Sequence, residues 1–203
     1  MPDWTSGAVQ GIVRWFHIIA GITWIGHLYF FNWVNGPFQG GLDKELKPKV
    51  NPGLVFRALY FFRWGAMWTL LFGLTLFYMI YVDGGALYNA DHTVSDRAWW
   101  IMIGMLFGII MWFNVWFIIW PRQKVILGAL QGGPAAPPEM AKTAGLASRI
   151  NTYLSGPMLY GMVAGSHVAV LPLNIWTILL GIVIPVGLIH GLYTKSTKVK
   201  TTA

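Results

Sequence analysis

The chain has 203 residues, of which 56% are hydrophobic and only 10% charged, and its mean hydropathy is +0.56. A soluble domain carries about 25% charged residues, so the deficit points to lipid as the solvent; the net charge of +7 does not imply nucleic acid, because the basic residues lie at the ends of apolar runs. The absence of cysteine excludes disulfides, thiolate metal sites, iron–sulfur clusters and covalent C-x-x-C-H haem attachment, leaving His, Met or carboxylate to hold any metal or haem.

A membrane-spanning helix needs about 20 mostly apolar residues, and five stretches qualify in chain order. The first, Val9 to Val34, is too long for the apolar part of a signal peptide and lacks a basic leader. The second, Trp64 to Val82, follows Asn51-Pro52, which reads as an N-cap and first-turn proline, so its helix is expected to begin well before the membrane. The third, Trp99 to Trp120, is expected to be capped at Ser95-Asp96 and kinked at Pro121. A GGPAAPPE breaker (132–139) separates it from the fourth, Leu154 to Leu171. A tight Leu171-Pro172-Leu173 turn leads to the fifth, Leu173 to Tyr193.

These spans predict an all-α, polytopic membrane helix bundle, with residues 1–203 forming one integral membrane domain. Lys44, Lys47, Lys49, Arg57 and Arg63 precede or open the second span. Arg122, Lys124, Lys142 and Arg149 join the third to the fourth, and Lys195, Lys198 and Lys200 lie in the tail. These twelve basic residues fall on one side, against only Arg14 and Arg97 on the other. By the positive-inside rule the N-terminus is expected outside and the C-terminus in the cytoplasm. The expected location is the bacterial cytoplasmic membrane.

Four of the five histidines fall inside the spans, where an ionisable side chain is costly and is a functional candidate by default. At the helical rise, His17 lies about 10 Å below the outer end of its span and His167 about 6 Å below the outer end of its own. His27 and His190 stand near the inner ends of the first and fifth spans. Two His pairs, one per leaflet, suit bis-imidazole ligation of one or two b-type haems. His27 fits less well, being rotated about 80° from His17 around an ideal helix.

Ala20, Gly21 and Trp24 share the His17 face, and Gly161 and Gly165 flank His167, so small residues are expected to admit a flat macrocycle. Arg14 on the outside, and Arg57 or Arg63 on the inside, are candidate partners for haem propionates. Asn114 is expected to make an interhelical hydrogen bond, His92 to be a solvated loop residue, and Gly104/Gly108 and Gly161/Gly165 to serve helix packing. The nine methionines are scattered, and none stands out as an axial ligand.

Four segments carry a family resemblance: RWFHIIAGITWIG (14–26), FRALYFFRWGAMWTLLFG (56–73), FNVWFIIWPRQKVILG (113–128) and ASRINTYLSGPMLYGMVAGSH (147–167). They resemble the membrane N-terminal region of bacterial membrane-bound urate oxidases (urate hydroxylases). The resemblance implies a bacterial membrane redox protein with His17 and His167 on the family's motif positions. Urate-oxidising members carry further helices and a C-terminal cytochrome c domain, which this chain is expected to lack, whereas His27 departs from the family pattern.

The reading that follows is a b-haem electron-transfer subunit of a larger redox complex. Its expected partners are other membrane subunits, lipid, and a separate cytochrome c or quinone. Two alternatives stand beside it: an oxidase of urate or a similar heterocycle, and a haemless accessory subunit of a respiratory or photosynthetic complex.

Overall fold

A computed structural model describes residues 7–167 and 172–199, without the side chains of Ser166 and His167. It contains five long helices: α1 (Gly7–Gly41), α2 (Lys47–Asp83), α3 (Asp96–Leu130), α4 (Pro138–His167) and α5 (Ile175–Ser196). Among the described residues, α1, α2, α3 and α5 are long and apolar enough to cross a membrane. The chain is therefore an all-α helical bundle of membrane type. At 37 residues, α2 extends about 55 Å, well beyond the roughly 30 Å of a hydrocarbon core.

The described part of the fourth expected span, 154–167, is the C-terminal half of α4, and residues 168–171 lie outside the described residues. The N-terminal half of α4 is polar: Glu139, Lys142 and Arg149 are exposed, but one uncharged polar face turns inward. Ser148, Asn151, Thr152 and Ser155 follow the i, i+3, i+4, i+7 spacing of one helical face. Asn151, Thr152 and Ser155 are fully buried. Hydropathy thus undervalues a helix whose buried hydrogen-bonding groups are satisfied by its own carbonyls and by its neighbours.

Helix α1 packs along α2, and α4 lies between α3 and α5 while also touching α1. The shared core is built from Trp24, Leu28, Phe62, Ala66, Met111 and Val115, all buried. Close approach of α3 and α4 depends on facing glycines. A Cβ on Gly161 would lie 2.8 Å from the Gly104 nitrogen and 3.0 Å from the Trp100 carbonyl oxygen. The packing role expected of this pair is what the contact provides.

The helix ends repay comparison with the sequence. Ser95 caps α3 as expected, its hydroxyl accepting from the Ala98 N–H at 3.2 Å. Asn51 does not cap α2: the helix begins at Lys47 with Pro48 in its first turn, and Pro52 lies inside it. Pro48 takes the place where a missing N–H is harmless, while Asn51 exchanges two hydrogen bonds with Gln39 at 2.7 and 3.0 Å. Helix α3 continues through Pro121 to Leu130.

A π-helical turn, Asn114–Ile119, immediately precedes that segment, and a second, Phe30–Asn35, precedes Pro37 in the same way. A proline ring clashes with the carbonyl four residues back, and widening the preceding turn relieves the clash without ending the helix. At the start of α5, Asn174 forms a capping box with Thr177, accepting from the Trp176 and Thr177 N–H groups at 3.0 Å.

Candidate functional site

His17 stands half-buried on the face of α1 that meets α2. Its Nδ1 lies 2.9 Å from the Thr69 carbonyl oxygen. A carbonyl only accepts, so Nδ1 carries a proton, and in the neutral imidazole Nε2 keeps the free lone pair. Thr69 turns its own hydroxyl back to the Gly65 carbonyl at 2.7 Å. Gly73 makes room for the ring, because a Cβ there would stand 2.9 Å from His17 Cε1.

Beside the imidazole is a cavity of about 50 Å³ whose walls include His17, Thr69, Gly73, Met105, Met158 and Met162. Trp24, 2% exposed, also borders it, and its indole N–H has no hydrogen-bond partner. The expected shared face of His17 and Trp24 is thus the face that lines this space. The methionine signal was invisible in the sequence: three residues from two helices gather opposite a histidine on a third.

The other candidates are placed separately. The His167 side chain lies outside the described residues, although its backbone closes α4. His27 donates from Nδ1 to the Thr23 carbonyl at 2.7 Å and stacks on Phe61 with ring centroids 6.0 Å apart. It borders an open groove of about 800 Å³ between α1 and α2, whose walls also include Phe30, Arg57 and Phe61. His190 is exposed on α5, with Nδ1 2.9 Å from the Tyr153 hydroxyl of α4. His27 therefore engages α2 and His190 engages α4.

Arg14 is exposed, three residues before His17. Gly21 faces Thr69, whose Cγ2 would be 3.9 Å from an added Cβ. Gly161 and Gly165 both abut α3, Gly165 within 2.8 Å of the Arg97 carbonyl oxygen measured from its would-be Cβ. The space beside these two glycines is filled by protein. Arg63, at the expected inner end of the second span, lies among indoles, its guanidinium carbon 4.0 Å from the centre of Trp120 and 5.0 Å from that of Trp116. Among the described residues no group of three or more His, Cys, Asp or Glu gathers as a metal site.

The polar seam of α4 completes the interior. Asn114 donates to Asn151 Oδ1 at 2.7 Å, as expected of an interhelical bond, and Asn151 donates to the Met111 carbonyl at 2.9 Å. Tyr29 and Ser155 share a hydrogen bond of 2.9 Å, and Asn32 donates to Ser148 at 2.8 Å. Asn151, Thr152 and Ser148 carry no signal in hydropathy, because they precede the apolar run that marks the span.

Long apolar helices joined by an internal polar seam define a helical integral membrane protein. The model of one family, described as urate oxidase N-terminal, matches residues 84–202, which is 119 of the 203 residues. The chain belongs to the urate oxidase N-terminal family. Two of the four resembling segments, 113–128 and 147–167, fall within that match. No curated protein and no solved structure matches the chain.

Proposed function

We propose that this chain is the electron-carrying subunit of a bacterial membrane redox assembly, with its centre at His17. The observation that carries this reading is the pose of the imidazole. Nδ1 is tied to the Thr69 carbonyl, which fixes the tautomer and makes Nε2 the more basic nitrogen. Protein ligands to metals and haems are oriented by this kind of outer contact. Membership of the urate oxidase N-terminal family gives the redox reading its chemical setting.

A b-type haem held by His17 and His167 is the carrier expected from the sequence, and when bound it supplies one-electron chemistry. On the His17 side the packed residues leave less room than it needs. Pockets for organic ligands measure roughly 300–1,000 Å³, against about 50 Å³ beside His17, and the flanking Gly161 and Gly165 are backed by α3. The redox reading consequently rests on His17, whichever redox group it holds.

The groove at His27 supports a quinone as the electron partner. It has the size of a small-molecule pocket, and it offers an imidazole, an aromatic face at Phe61 and a guanidinium at Arg57. His17 and His27 are ten residues apart on α1, about 15 Å along its axis.

The test is a redox titration of the detergent-purified, full-length chain, followed optically with a pyridine haemochrome count and metal analysis. A titratable centre lost in His17→Ala supports the reading. Folded protein with no redox-active centre overturns it and leaves an accessory membrane subunit. A centre that survives His17→Ala moves the function to another residue.

A further inference from the structure

We infer that His17, Met105, Met158 and Met162 form a binding site for one soft monovalent metal ion, Cu(I). Met158 and Met162 are one turn apart on α4 and so share a helical face, and Met105 comes from α3. All three border the same cavity as the His17 imidazole. Met158 also lies beside Gly108 of α3, where an added Cβ would stand 3.9 Å from Met158 Cγ. Three of the nine methionines thus line one cavity with a histidine whose Nδ1 proton is committed to the Thr69 carbonyl.

The donor chemistry selects the ion. Thioethers are soft ligands that favour Cu(I), and imidazole suits copper, whereas magnesium, calcium and manganese prefer carboxylate, carbonyl and water. Among the described residues no carboxylate borders the cavity, and the chain has no cysteine, so a divalent ion would bring two uncompensated charges into a low-dielectric site. The desolvation cost of an ion grows with the square of its charge, which favours a monovalent one. Size agrees: about 50 Å³ exceeds the 10–15 Å³ needed to accept one water, yet it is far below what a macrocycle requires. The Thr69 carbonyl supplies the outer contact that orients a histidine ligand. Binding of the ion stands on this geometry; its role as electron carrier rests on the redox reading above.

The test is an anaerobic titration of the full-length, chelator-stripped chain with Cu(I), in competition with a chromophoric Cu(I) chelator. The expected result is one ion per chain. Binding should be lost in His17→Ala and weakened in Met158→Leu and in Met162→Leu. Each methionine change should exceed the roughly 10- to 100-fold effect of losing an outer-sphere partner. Methionine and leucine are close in volume, so circular dichroism and thermal melting of these variants should match the parent. Met111→Leu, at a buried methionine outside the cavity walls, should bind normally.

Failure to retain Cu(I) overturns the site, as does binding that ignores His17→Ala and Met158→Leu. The site and the redox reading can fail separately. Cu(I) bound at His17 without any redox titration keeps the site and removes the electron-carrying role. A haem lost in His17→Ala, with no Cu(I) bound, keeps that role and removes the site.

Discussion

Replacing Asn151 with leucine tests whether the polar seam of α4 holds the bundle together. Asn151 is 0% exposed; it accepts from Asn114 at 2.7 Å and donates to the Met111 carbonyl at 2.9 Å. Interhelical hydrogen bonds in membrane bundles average about 0.6 kcal/mol and reach about 1.7. Two of them put the expected loss near 1.2 kcal/mol, with a ceiling of about 3.4. These figures count the hydrogen bonds alone; leucine is the larger side chain, and the repacking it forces at this buried site adds about 1–3 kcal/mol.

Asn114→Leu breaks one bond, leaving Asn151 tied to Met111, and should lose about half as much hydrogen-bond energy. The double variant should be less destabilised than the sum of the two, by about 0.6 kcal/mol, because the shared bond can be lost only once. The assay is reversible unfolding in mixed micelles by increasing sodium dodecyl sulfate, read by tryptophan fluorescence. Strict additivity, or unchanged stability in Asn151→Leu, would refute the argument.

Gly73→Ala places a methyl 2.9 Å from His17 Cε1 and should drive the ring off the Thr69 carbonyl. It is expected to weaken whatever His17 ligates by about 10- to 100-fold, while Gly108→Ala, whose methyl meets only Met158 at van der Waals distance, should be tolerated; ligand titration separates the two. Asn174→Ala removes the α5 capping box and should lower stability by about 1 kcal/mol, seen as earlier unfolding in the same detergent assay. In the loop between α2 and α3, hydrogen bonds from the Thr93 hydroxyl and N–H hold the Asp91 carboxyl below its ordinary range. The order it lends the loop is present above that ordinary range and is lost as pH falls through the lowered value. Thr93→Val should therefore raise the Asp91 midpoint, measurable by NMR titration; an unchanged midpoint would remove the hydroxyl from the account.

The reach of the sequence differed between apolar and polar features. Four long helices were legible because lipid imposes a length and a composition that few other environments require. Ser95 and the 132–139 breaker were equally plain, since caps and turns are local chemistry. The start of α2 was misread because Asn51-Pro52 has the local form of a helix start, and only the partnership of Asn51 with Gln39 on α1 shows otherwise. His17 and Trp24 could be paired through their spacing on one helix. Met105, Met158 and Met162 could not, because their meeting depends on how α3 and α4 pack at Gly104 and Gly161. Asn151 was passed over for a similar reason: whether an asparagine is an exposed breaker or an internal tie depends on a neighbouring helix.

The inward-turned seam of α4 also bears on how the protein is made. The insertion machinery weighs each emerging segment largely by its own affinity for lipid, and in α4 Thr152 and Ser155 can donate to carbonyls of their own helix, whereas Asn151 cannot be satisfied there. Its neighbour α3, synthesised earlier, already carries Asn114 and the Met111 carbonyl that can receive Asn151. Entry of α4 into the bilayer is thereby coupled to pairing with α3, so a lesion at the Gly104–Gly161 contact would surface first as a defect of biogenesis, in chains whose last two helices fail to integrate.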